Sequence, residues 1–131
     1  MQIFKISDRL PGLNEYINAC RRNKYAGAKM KKDADNLVCW FISMAHLEPI
    51  TEPIKLIFEW HIKKDKRDLD NIAFAKKFIL DALQETKILP NDNKKYVQGF
   101  TDNFFYDKEN EIVVGLIPIK EKNEFNGEGK G

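Results

Sequence analysis

Between Ile54 and Ile62 the chain reads IKLIFEWHI, with Leu56, Phe58, Trp60 and Ile62 on one side of an extended backbone and Lys55, Ile57, Glu59 and His61 on the other. Successive strand residues point to opposite faces, so this run is a strand with one face on a core. A helical pattern follows over residues 71–86. At about 100° per residue, Ile72, Ala75, Ile79, Ala82 and Leu83 gather on one side as a core stripe. A strand feeding a helix that must pack back on it predicts an α/β class, with a small mixed sheet packed by helices.

The flanking segments extend this reading. Gln2 to Ile6 alternates and forms a short first strand, ended by Pro11-Gly12. Residues 14–45 are mostly helical, with Asn14 as the N-cap. Ala26-Gly27-Ala28 weakens the middle, which leaves one kinked helix or two. Leu37, Val38, Phe41, Ile42 and Ala45 make a stripe that packs on a sheet. Pro49 and Pro53 mark a loop. Tyr96–Phe105 and Glu111–Ile119 read as two strands joined through Tyr106-Asp107-Lys108-Glu109-Asn110 into an antiparallel hairpin. Residues 1–120 therefore form one domain, and the polar, Gly-rich 121–131 is a flexible tail.

Composition narrows the partners. A length of 131 residues suits one domain, and a formal net charge of +2 says little by itself. Arg21, Arg22, Lys24, Lys29, Lys31 and Lys32 form a basic cluster with no acid inside it. Such a cluster can track a phosphate backbone, although a solvated helix face is the commoner fate. Tyr16 and Tyr25 lie in the same half and have core or surface packing as their ordinary role. Cys20 and Cys39 show no metal-ligand spacing and read as reduced thiols. With no leader and no apolar run of membrane-spanning length, the expected location is the cytoplasm. No P-loop, no GxGxxG after a strand and no HExxH helix is found.

The chemistry concentrates between Lys63 and Asp92, KKDKRDLDNIAFAKKFILDALQETKILPND. Asp68 and Asp70 lie two apart, and an extended backbone would present both on one side. Two carboxylates about 4 Å apart repel by roughly 4 kcal/mol at an effective dielectric of 20, so a divalent cation is the expected partner. Lys63, Lys64, Lys66 and Arg67 are better placed to hold a polyanion. Acids that want a metal among bases that want phosphate point to metal-dependent phosphodiester cleavage. On the helix, Lys77 falls on the azimuth extrapolated from Asp70 and Lys76 about a third of a turn away. Lys77 is thus better placed than Lys76 to share a site with Asp70, while an ordinary i,i+4 pair of Lys77 with Asp81 is also expected. Glu59 and His61 read as a sheet-surface pair. Asp92 by itself is a turn residue.

Arg67-Asp68-Leu69-Asp70-Asn71, a helix with Lys77 and Asp81-Ala82-Leu83, and Asp92 eleven residues beyond Asp81 together resemble the RusA family of Holliday junction resolvases. Glu59-Trp60-His61 is similar to that family as well. The match is densest over residues 54–97. The resemblance implies a small α/β homodimer that binds branched DNA, in particular four-way junctions, and nicks two strands symmetrically with Mg²⁺ or, in substitution, Mn²⁺. It assigns the metal to Asp68, Asp70 and Asp92 and the active lysine to Lys77. About three extra residues between Asn71 and that lysine depart from the family pattern, which keeps Lys76 as the fallback. Two rivals from other classes are a non-catalytic DNA-binding accessory protein of phage recombination or replication, and a metal phosphohydrolase of small substrates.

Overall fold

In the computed structural model, which describes residues 1–91 and 94–119, the elements run β1 (Gln2–Ile6), α1 (Leu13–Arg22), α2 (Lys24–Ala45), β2 (Ile54–Ile62), α3 (Leu69–Ala73), α4 (Lys76–Glu85), β3 (Val97–Tyr106) and β4 (Glu111–Pro118). The strands form one mixed sheet in the order β1-β4-β2-β3. β4 is antiparallel to both β1 and β2, whereas β3 is parallel to β2. A parallel neighbour requires a crossover, and α3 and α4 provide it. The chain is an α/β fold with helices against one face of a small mixed sheet.

The alternation of β2 is realised: Leu56, Phe58 and Trp60 are almost fully buried, between Phe4, Ile6, Val114 and Leu116 on the sheet and Val38, Ile42, Phe78, Ile79 and Leu83 on α2 and α4. At about 25 cal/mol per Å² of apolar surface, this shared core is the main stabilising term. The helical stripe Ile72, Ala75, Ile79, Ala82 and Leu83 is buried throughout.

Three expectations are corrected. β3 and β4 do not form a hairpin, because β2 lies between them. The link over residues 107–110 instead crosses the end of β2, where the Asp107 N–H donates to Ile62 O at 2.9 Å and the Lys63 N–H donates to Asn110 Oδ1 at 3.0 Å. β4 is apolar on both faces and takes a central place, while β3 is half polar and takes the edge. Of the alternatives left open for residues 14–45, two helices form, parted at Asn23, whose side chain caps α2 by accepting from the Ala26 N–H at 2.8 Å. Gly27 serves packing instead: a Cβ there would lie 2.5 Å from Cys20 Sγ, so the glycine lets α1 and α2 approach. Helix α1 starts from Gly12 as N-cap, not Asn14. The helix expected over residues 71–86 is two, α3 and α4, separated at Phe74 and Ala75.

Among the described residues, no helix is long and apolar enough to cross a membrane. The tail expected at 121–131 lies outside the described residues.

Candidate functional site

The loop between β2 and α3 is held by four charged side chains. Asp65 Oδ1 accepts from the Arg67 N–H at 2.9 Å, and both its oxygens accept from the Arg67 guanidinium. Arg67 Nη1 also donates to Leu10 O at 3.1 Å and lies 3.3 Å from Glu15 Oε1. Arg9 closes the ring, 2.8 Å from Glu15 and 3.7 Å from Asp65. The Asp65 side chain is only 6% exposed, and its hydrogen bonds from Arg67 hold its carboxyl below the usual range. The sequence reading assigns Arg67 to the bases that grip DNA. The structure commits its guanidinium to fastening the loop onto the start of α1. Lys63, Lys64 and Lys66 are exposed and, among the described residues, form no ion pair.

This loop delivers Asp68 and Asp70, but not on one side of an extended strand. Asp68 is the N-cap of α3, with φ −66° and ψ 155°, and Asp70 already belongs to the helix. Residues two apart do not face each other at a helix start. Asp68 lines a polar cleft of about 490 Å³ with Arg9, Asn14, Asn18 and Lys66. Asp70 lines a second groove of about 750 Å³ with Lys76, Lys77, Asp81, Phe100, Asp102 and Phe104. The first turn of α3 thus separates two clefts, one acid on each. Both acids are exposed. Asp68 makes no capping hydrogen bond, and Asp70 Oδ1 accepts from the Asn71 N–H at 2.9 Å. Neither forms an ion pair among the described residues. Asp92 lies outside the described residues, and among those described no three His, Cys, Asp or Glu side chains are grouped to hold a metal.

Both candidate lysines open on the groove of Asp70, in different states. Lys76 Nζ donates to Asp102 Oδ2 at 2.6 Å and lies over the rings of Phe58 and Phe100. Lys77 is exposed. The expected Lys77–Asp81 pair is not made; Asp81 lies 3.3 Å from Lys31, which also donates to Asp35 at 2.7 Å. The basic cluster is therefore divided. Lys31 is built into the junction of α2 with α4 and Lys29 pairs with Asp33 at 2.6 Å, whereas Arg21, Arg22, Lys24 and Lys32 are exposed. Lys24 Nζ lies 5.8 Å from the Tyr25 ring centroid. Tyr16 packs on Phe74 and Phe78, in the role expected of a tyrosine at random.

Glu59 and His61 lie on the sheet face away from the helices. His61 Nδ1 is 3.0 Å from Asp107 and Nε2 is 3.4 Å from Glu59, an ordinary surface cluster. Two residues in or beside the site, Asp65 and Asp102, escape sequence reasoning. Asp65 was signalled by its position two before Arg67, the spacing of an Asx turn. The pairing of Asp102 with Trp60 has no local signal, because the parallel register of β2 and β3 brings them together.

No protein-family model matches the sequence, and no curated protein matches it.

Proposed function

We propose that this chain is a RusA-family resolvase, a cytoplasmic homodimeric endodeoxyribonuclease that resolves four-way DNA junctions by paired nicks. One observation carries the reading. Around the motif, Glu15, Asp35, Asp65, Asp81 and Asp102 are each engaged by a lysine or arginine, while Asp68 and Asp70 are exposed and left without one among the described residues. Carboxylates kept free of internal counter-ions on a rigid scaffold suit an external cation.

The donor chemistry fits Mg²⁺, which prefers hard carboxylate oxygens and keeps several of its own waters. Asp68, Asp70 and Asp92 would hold it. When bound, such an ion polarises a phosphoryl oxygen and lowers the pKa of water. The remaining work belongs to the chain. The Arg9–Glu15–Asp65–Arg67 ring fixes the loop that presents the acids. An ammonium in the groove beside Asp70 stabilises charge that develops on the scissile phosphate. Lys63, Lys64 and Lys66 contact flanking phosphates, which makes affinity fall with salt and carry little sequence preference. A two-fold dimer matches the two symmetry-related strands of a junction.

The test is a labelled synthetic four-way junction incubated with Mg²⁺, with the parent chain beside Asp70→Asn. The expected result is paired nicks from the parent and a loss of at least about a hundredfold in rate from the variant. Equal cleavage by both, or intact junctions throughout, would overturn the assignment.

A further inference from the structure

Lys76 and Lys77 are adjacent in sequence and open on the same groove, yet they differ in every contact that decides what an ammonium can do. Lys76 is 2.6 Å from Asp102 Oδ2, with ring centroids 4.8 Å away at Phe100 and 5.4 Å away at Phe58. Asp102 is held in turn, its Oδ1 accepting from the Trp60 indole N–H at 2.9 Å. Trp60 is 1% exposed and stacks between Phe58, at 5.4 Å, and Phe104, at 6.4 Å. In the parallel register Phe58 lies opposite Asp102 and Trp60 opposite Phe104. A chain of contacts therefore runs from the centre of the sheet through Asp102 to the first residue of α4. A phosphate that recruited Lys76 would have to compete with a charge-assisted hydrogen bond and two aromatic faces. Lys77 presents no such competition: it is exposed and forms no ion pair among the described residues.

Resting on the nuclease reading, with Lys77 as its active lysine, we infer that Trp60, Asp102 and Lys76 form a positioning relay. The relay pins the first turn of α4 to β3 and so sets where Lys77 stands in the groove. Lys76 is then a positioning residue, not a catalytic one.

Two measurements test this, and the first needs no activity. The protein is treated with a limiting amine-acetylating reagent, and fragment-ion mass spectrometry separates acetylation at Lys76 from that at Lys77. Lys77 is expected to react at least about fivefold faster, since Lys76 is tied by a short charge-assisted bond. Asp102→Asn keeps an oxygen for the Trp60 indole and removes the charge that holds Lys76. In that variant the Lys76 rate should rise to within about twofold of Lys77, whose own rate should not move. Equal rates in the parent, or no change at Lys76 on Asp102→Asn, would sink the relay. Should Asp102→Asn fail to fold, Asp102→Glu, which keeps the charge, is expected to restore the fold and slow labelling at Lys76.

The second measurement is the salt dependence of binding to a synthetic four-way junction without divalent metal. Lys77→Met is expected to reduce the slope of log affinity against log salt by about one, and Lys76→Met, which only loosens the placement of Lys77, to reduce it by less than about half of that. The reverse pattern would overturn the lysine assignment while the nuclease reading stood. No binding of any junction would instead remove that reading and the phosphate contact with it, while the relay stands or falls on the labelling.

Discussion

Asn71 closes the Asp68-Leu69-Asp70-Asn71 motif, yet its side chain serves another element. Its Oδ1 accepts from the Asn14 N–H at 3.1 Å, in the first turn of α1, from 57 positions away. That helix begins at Gly12, which has no side chain to offer as a cap, and Glu15 Oε1 covers the Gly12 N–H at 3.0 Å. Helix starts leave four N–H groups without internal partners, so Asn71 works as a borrowed N-cap. Replacing a capping side chain by alanine costs about 1 kcal/mol. Asn71 is 9% exposed, and the small void left at such a site adds roughly 0.5 kcal/mol. Asn71→Ala should therefore lose about 1.5 kcal/mol, a drop of roughly 1 M in the urea midpoint for a domain of this size. Asn71→Asp keeps an oxygen in the same place and puts negative charge at a helix start, worth about 0.5 kcal/mol. Repulsion from the adjacent Asp70 offsets that gain, so the aspartate variant should stay within about 0.5 kcal/mol of the parent. Urea titration of the three proteins, with amide hydrogen exchange at Asn14, gives the answer. A midpoint shift below about 0.3 M for alanine, or an aspartate variant as damaged as the alanine one, would refute the borrowed cap.

Two further substitutions separate the charged networks. Arg67→Met leaves the nearly buried Asp65 with Arg9 alone at 3.7 Å and should cost about 2–4 kcal/mol, read from thermal or urea unfolding. Because Arg67 depresses the Asp65 carboxyl, its contribution is present above the ordinary value of 3.8 and is lost as pH falls through the lower folded value. The parent should accordingly lose stability below about pH 4 more steeply than the variant, and parallel curves would count against the network. Lys31→Met should show the opposite sign at Asp35. Burial pushes that carboxyl above 3.8, Lys31 opposes the push, and among the described residues Oδ1 has no hydrogen-bond partner. Without Lys31 the penalty for a charged Asp35 grows as pH rises through its raised folded value. The variant should be weakest near neutrality and recover relative to the parent on acidification towards pH 4, and a pH-independent deficit would exclude this account.

Much of the fold was legible because its signals are local. The alternation of Leu56, Phe58, Trp60 and Ile62 and the stripe from Ile72 to Leu83 each follow from one element and one core. Pairing is not local. A polar link over residues 107–110 reads as a hairpin turn unless one asks which strand can be buried on both sides. The apolar run from Ile112 to Ile117 was the available signal, since it suits a central strand, while Gln98, Thr101 and Asn103 suit an edge. From that misplacement follows the missed Asp102, which meets Trp60 and Lys76 only when β3 lies parallel to β2.

The placement of Asp68 and Asp70 turned on a finer matter. Both a strand end and a helix start accept the tetrad Asp68-Leu69-Asp70-Asn71, and the two conformations send carboxylates two residues apart to the same side or to different sides. An aspartate just before an apolar periodic run is also an N-cap signature, and α3 takes that course, so each acid opens on its own cleft. Within the proposed function this changes what the acids share. Asp68 would offer its oxygens on the side of the cleft with Lys66, and Asp70 on the side of the groove with Lys77. Lys66 and Lys77 would then meet different phosphates on opposite sides of the helix start, so with no shared partner their effects on junction binding should add within about 0.5 kcal/mol.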